Sequence, residues 1–269
     1  MPKAKTNLDK ILVLSLISVL IISVFVLAKP NKEAKVNIPS NAVKLADGVY
    51  SLGTARDSKG SIVEGFMFID YKKENARPPG AGGSKGTKCF AFLASGAKWK
   101  QLEPWVANTA NNQGLSSSFV FNNIATDIQK WEDASSFNIL GNGATTANTL
   151  VADEVSPDDV NEVYFGDVDS AGAIAVTIVW GIFSGPPSQR KLVEWDQVYD
   201  QVDFAWSSSG EANKMDFENI ATHELGHTVG MGHPADECTE ETMYRFASAG
   251  ETKKRNLNAG DIAGVQDLY

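Results

Sequence analysis

All three histidines of this chain fall within one eleven-residue stretch, His223-Glu224-Leu225-Gly226-His227-Thr228-Val229-Gly230-Met231-Gly232-His233. Residues four apart on a helix share one face, so a helix here brings the imidazoles of His223 and His227 to one point, with Glu224 beside it. Gly230 can take the left-handed backbone that ends a helix, and a reversal there carries His233 back to the same point. The pattern therefore requires a helix over about Phe217–Val229 and a tight turn after it. Three neutral imidazoles with a fourth tetrahedral position left for water describe a catalytic zinc site, whereas a structural site is closed by four protein ligands. His223, His227 and His233 are thus the candidate metal ligands for one Zn2+. Glu224 is the candidate catalytic residue, a general base that can later act as acid. No histidine remains for a Ser-His-Asp or Cys-His nucleophile.

The rest of the chain supplies a framework for that helix. Phe121, Ile124, Ile128 and Trp131 repeat at helical spacing, which predicts an amphipathic helix over Ser116–Trp131 whose aromatics pack into a core. Strands are expected at Cys89–Leu93, Glu162–Val168, Ile174–Phe183 and Leu192–Tyr199, and a last helix at Gly260–Leu268, capped by Asn258 or Asn256. This order suggests an α+β domain with helices against one sheet. Upstream, Gly48–Leu52 and Ile62–Tyr71 alternate on either side of Asp57-Ser58-Lys59-Gly60 and read as a small hairpin. The run Arg77–Gly86 breaks regular structure and marks a boundary. The expected division is 1–28 as signal peptide or membrane anchor, 29–86 as a tether with the hairpin and a Pro/Gly linker, and 87–269 as the catalytic domain. The Gly-rich run is no phosphate loop, because its order is Lys85-Gly86-Thr87.

Thirty-three acidic against 24 basic residues give a net charge of −9, which argues against a nucleic-acid partner. Lys3, Lys5 and Lys10 precede Ile11–Ala28, a run without charge that reads as an anchor or an export signal. Either version puts Lys29 onward at the outer face of a cell membrane, or secreted if the segment is cleaved. Cys89 and Cys238 are the only cysteines. They leave three readings open: one disulfide, two free thiols, or a Cys89 thiolate that blocks the metal.

The zinc stretch resembles the metzincin signature, and Thr242-Met243-Tyr244 resembles its Met-turn. Within that group the similarity is to the matrixins, carried by those three residues and by Leu257–Tyr269. The resemblance implies a twisted, mostly parallel sheet with an antiparallel edge strand, an active-site helix and a C-terminal helix. It also implies Met243 as an apolar floor beneath the zinc, Gly230 as the turn after the zinc helix, and metalloendopeptidase activity. Ala173–Val179 would be the edge strand that takes a polypeptide substrate as an added antiparallel strand. Two departures stand out: Arg245 occupies the family's usual proline position, and no propeptide motif around a cysteine is present. The resemblance admits Ca2+ but assigns no ligand. Asp167–Gly172 begins like an EF-hand loop but has Ile178 where a bidentate Glu is required, and Asp153, Glu154, Asp158, Asp159 and Glu162 read as a solvated loop. Two other functions use the same residues, a non-catalytic peptide-binding module that keeps zinc for its fold and a zinc hydrolase of a non-peptide amide.

Overall fold

The structure is a computed structural model that describes Met1 and residues 34–73 and 88–269. Its strands are β1 (Lys35–Val36), β2 (Val43–Ala46), β3 (Val49–Arg56), β4 (Ile62–Lys72), β5 (Ala91–Phe92), β6 (Trp105–Asn108), β7 (Gly143–Thr145), β8 (Asn161–Val168), β9 (Ala173–Ile182), β10 (Lys191–Asp200), β11 (Trp206–Ser207), β12 (Met215–Asp216), β13 (Met231–Gly232) and β14 (Phe246–Ala247). The helices are α1 (Ser117–Ser135), α2 (Phe217–Thr228) and α3 (Ala259–Leu268). One large sheet has the order β2-β3-β4-β9-β10-β8-β6-β7, with β1 added to β8 and β14 to β4. The pairs β10–β8, β8–β6 and β6–β7 are parallel, and β9 runs antiparallel to β10.

Both faces of the middle of this sheet are covered, which explains the near-continuous apolar run of β9. On one face Ile174, Ala175 and Val179 join Trp131, Trp195, Phe217, Ile220 and Leu225 beneath the helices. On the other, Val176, Ile178 and Trp180 pack with Val63, Met67 and Ile69. Each of the Val, Ile, Leu, Met and Phe side chains taken fully out of water contributes about 1.5–3 kcal/mol, before the entropy of ordering it is set against that gain. Helix α1 begins at Ser116, whose hydroxyl accepts from the Phe119 N–H, and presents Val120, Ile124, Ile128 and Trp131 to the core. The Trp131 indole N–H donates to the Thr222 carbonyl at 2.9 Å and so ties α1 to α2.

The α+β architecture expected from the sequence is present, but its expected edge is not. β9 is an interior strand: β4 pairs with it antiparallel from Glu64 opposite Gly181 to Tyr71 opposite Ala173. The hairpin expected to stand apart in a tether is thus continuous with the sheet through β3 and β4. A strand's alternation shows which side chains share a face and not which strand it will join, so the pairing could not be read locally. Ile11–Ala28 and the expected boundary run Arg77–Gly86 lie outside the described residues. Among those described, no helix is long and apolar enough to cross a membrane.

Candidate metal centre

Helix α2 is buried along nearly its whole length and carries His223, Glu224 and His227. Its N-terminus is held by Asp216, whose Oδ1 accepts from the Asn219 N–H at 3.0 Å and whose two oxygens take Nε and Nη2 of Arg255 at 2.8 and 2.6 Å. Gly226 is required by packing. A Cβ there would meet Sδ of Met243 at 2.1 Å, so the Met-turn can close against α2 only where a side chain is missing. The helix ends at Gly230, which has φ +103° and donates to the His227 carbonyl at 2.9 Å. The reversed chain then forms β13, which pairs with β5 and delivers His233.

The three imidazoles face one another across 4.6–5.3 Å between ring centres. His223 Nδ1 lies 2.6 Å from the Thr242 carbonyl and His227 Nδ1 lies 2.9 Å from the Met231 carbonyl. Each carbonyl can only accept, so each ring carries its proton on Nδ1 and turns the Nε2 lone pair inward. Burial, followed by the neighbouring imidazoles, holds His227 well below the usual histidine range. Burial likewise lowers His233, to about 4. Both effects favour the neutral, ligating form.

A fourth donor completes the group. Asp70, on β4, places Oδ1 3.0 Å from His223 Nε2 and 3.7 Å from His233 Nε2, while His227 Nε2 and His233 Nε2 are 3.1 Å apart. Four donors bound tetrahedrally to one zinc at about 2.0–2.1 Å stand roughly 3.3 Å from one another, so these separations suit a single ion. His223 Nε2 and both Asp70 oxygens are buried without a hydrogen-bond partner, as donors facing a metal would be. Lys254 is fully buried beside them, 3.9 Å from Asp70 Oδ2 and 3.3 Å from His223 Nδ1, and it donates to the Tyr244 carbonyl.

Glu224 is fully buried next to this group. Its Oε2 accepts from the Thr177 hydroxyl of β9 at 2.5 Å, and Oε1 has no partner. Burial pushes its carboxyl well above the usual range, and the charge of Asp70 adds to the rise. Beneath the donors, Asp261 of α3 accepts from the N–H groups of Thr242 and Met243 at 2.7 and 3.1 Å and so fixes the carbonyl that orients His223. Cys89 and Cys238 are joined, Sγ to Sγ at 2.08 Å, which ties the β5 segment to the loop between His233 and Met243.

The structure therefore brings together His223, His227, His233, Glu224, Met243 and Gly230, and adds Asp70, Thr177, Lys254 and Asp261. For Asp70 the available signal is a lone acid in the apolar run Phe66-Met67-Phe68-Ile69-Asp70-Tyr71, and for Thr177 a lone hydroxyl in that of β9. The acidic stretch 153–162 is not a solvated loop throughout. Its backbone folds onto carboxylates of the sheet, with Asp153 N–H on Asp196 Oδ2 at 2.8 Å, Val151 N–H on Glu162 Oε2 at 2.8 Å, and Asp159 N–H on Glu194. Asp153, Glu194 and Asp196 bring their oxygens within 4.8 Å of one another. Only Asp158 and Asp159 of the five residues are exposed.

The family model of the matrixins matches residues 98–269, a span that contains the three histidines, Glu224 and Met243 but not Asp70. Metalloendoproteinase 4-MMP of Arabidopsis thaliana is 41% identical over 68 residues, covering 25% of this chain and 18% of that protein. Metalloendoproteinase 2-MMP of the same plant is 26% identical over 136 residues, covering 46% and 33%. Matrilysin of Homo sapiens is 38% identical over 74 residues, covering 28% and 26%. The chain thus spans between 18% and 33% of the length of these relatives. With its family match covering well over half of its own length and the metal-binding helix inside that match, the chain belongs to the matrixin family.

Proposed function

We propose that this chain is a zinc-dependent endopeptidase acting on polypeptides outside the cytoplasm, with His223, His227 and His233 holding zinc and Glu224 as general base. The observation that carries the reading is the convergence of three imidazoles, two of them turning Nε2 lone pairs inward, with a buried carboxylate that has one oxygen anchored and one free. Zinc bound there supplies Lewis-acid polarisation of a carbonyl oxygen and lowers the pKa of a water. Thr177 holds Glu224 by Oε2, leaving Oε1 to take a proton from the attacking water. As the peptide C–N bond breaks, the same carboxyl returns that proton to the departing amine.

The edge of β9 supports a polypeptide as substrate, because it accepts an extended strand whose alternate side chains reach the metal group, as β4 does. The Cys89–Cys238 bridge supports an oxidising compartment, and the basic, then apolar, N-terminal sequence supports export. The test is to incubate the full chain with a random peptide mixture, before and after limited proteolysis, with and without a chelator. Chelator-sensitive cleavage is expected in at least one form, and its absence from both would end the reading.

A second reading is a metal-holding module without catalysis. Asp70 favours it, since four protein donors make a closed site of the structural kind. Against it stands Glu224, a buried carboxylate with a free oxygen that a purely structural site has no use for.

A further inference from the structure

Strand β4 lies where the proposed substrate would have to lie. It runs antiparallel to β9 along one edge, and along the other it pairs antiparallel with β3 and then, at its end, parallel with β14, Tyr71 opposite Phe246. Its alternate side chains enter the site in turn. Phe66 packs on Phe183 with ring centres 4.9 Å apart, Phe68 stacks on the His227 imidazole at 4.2 Å, and Asp70 reaches the metal group. The register with β9 shifts between Asp70 and Tyr71, an irregularity of the kind that re-aims a side chain. Asp70 is 1% exposed, and neither of its oxygens has a hydrogen-bond partner. A buried carboxylate without donors is costly unless a cation meets it, and the nearest ammonium, that of Lys254, is 3.9 Å away. Neither cysteine can play this part, since Cys89 and Cys238 are bonded to each other.

We infer that β4 is a built-in inhibitor of this matrixin: it occupies the substrate's course along β9, and Asp70 supplies a fourth donor to zinc where the attacking water must sit. The inference rests on the peptidase reading above. In the chain as folded the donor set is full, so hydrolysis requires Asp70 to withdraw and water to replace it, and substrate binding requires β4 to leave the edge of β9. Glu224 and Thr177 stay in contact beside the blocking carboxylate, so the carboxyl of Glu224 needs no new anchor once Asp70 withdraws.

The experiment uses the full chain with cobalt(II) in place of zinc and compares the parent with Asp70→Ala and Asp70→Asn. Azide should leave the parent's visible spectrum unchanged and alter that of Asp70→Ala, which has a position open to it. Zinc should pass to a chromophoric chelator at least about tenfold faster from Asp70→Ala than from the parent, and peptide hydrolysis should rise by a similar factor. Asp70→Asn keeps the size of the side chain and weakens it as a donor, so it should respond in the same direction if the alanine variant folds poorly. Equal azide responses and equal zinc release in the parent and both variants would overturn Asp70 as a donor. Equal and measurable peptide hydrolysis in the parent and Asp70→Ala would overturn the inhibitory role while leaving the peptidase reading intact. An azide response gained in Asp70→Ala with no hydrolysis by any form would support the blocking donor and remove the peptidase reading instead.

Discussion

The hydroxyl of Thr177 donates a 2.5 Å hydrogen bond to Oε2 of Glu224, joining the middle of β9 to the residue that follows the first metal donor. One strand therefore both offers the edge proposed for substrate and anchors the proposed general base. Glu224→Gln should retain zinc and lose about 10²–10⁴-fold in kcat, because the proton acceptor is gone while the three imidazoles remain. Thr177→Val preserves the shape of the side chain and removes only its hydrogen bond to a carboxylate. It should lower kcat about tenfold or more with KM nearly constant. Steady-state kinetics in the Asp70→Ala background check both, and an unchanged kcat in Thr177→Val would mean that Glu224 does not depend on this anchor.

Asp261 works at one remove from the metal. Its carboxylate takes the N–H groups of both Thr242 and Met243, and it also accepts from the Asn258 N–H at 2.9 Å in the capping box of α3. Asp261→Ala leaves two buried donors unpaired and should cost about 2–6 kcal/mol of stability, since each lost partner costs about 1–3 kcal/mol. It should also weaken zinc binding by about 10–100-fold, because the Thr242 carbonyl that orients His223 loses its support. Denaturant unfolding and a competitive zinc titration measure the two effects separately. A variant as stable as the parent would show that the Met-turn is held by its packing on Gly226 alone.

The Cys89–Cys238 bridge closes a loop spanning 149 residues of sequence. Cys89→Ser or Cys238→Ser should therefore lower stability by about 2–4 kcal/mol, through the greater freedom of the unfolded chain. Activity per folded molecule should stay close to that of the parent, since neither sulfur belongs to the metal group. Non-reducing mass analysis of the parent should yield one linked peptide pair. A Cys89→Ser chain with raised activity would point instead to a thiolate that blocks the metal.

The metal-binding helix is legible in the sequence because its signals are local. The spacing of His223 and His227 is fixed by helix geometry, and Gly226 and Gly230 mark where α2 is approached closely and where it ends. Helix α1 is legible for the same reason, through a 3.6-residue repeat that ends at Trp131. The occupant of the β9 edge is not legible, because Ile62–Tyr71 alternates correctly for any partner and only the tertiary fold selects β9. Asp70 did leave a trace, as a lone acid in an apolar run, but a single carboxylate does not name the cation it will meet. The acidic stretch misleads in the opposite direction. Charge-rich segments are usually exposed, yet here main-chain N–H groups of residues 151–159 turn inward onto Glu162, Glu194 and Asp196.

That buried acidic cluster gives stability a pH dependence whose sign can be worked out. Burial raises Glu162 to about 7, and the charges of Asp158 and Asp153 add to the rise. Burial raises Glu194 to about 10, with Asp196 contributing next. In the unfolded chain both carboxyls return to about 4.3, so between that value and the folded one the native state holds protons that the unfolded state has released. Their contribution to stability is therefore complete below about pH 4 and shrinks as pH rises through the folded values, the reverse of an ordinary salt-bridged carboxylate. His227 and His233, both lowered by burial, also respond to pH, so a single melting curve would mix the two effects. Comparison of the parent with Glu162→Gln isolates the cluster, because the amide keeps the size of the side chain and cannot ionise. Thermal melts from pH 5 to pH 8 should show the parent losing stability relative to Glu162→Gln as pH rises, with most of the divergence complete by about pH 8. Parallel curves over that range would mean that Glu162 already ionises in the folded protein near its ordinary value, and that the carboxylates around it are better solvated than their burial implies.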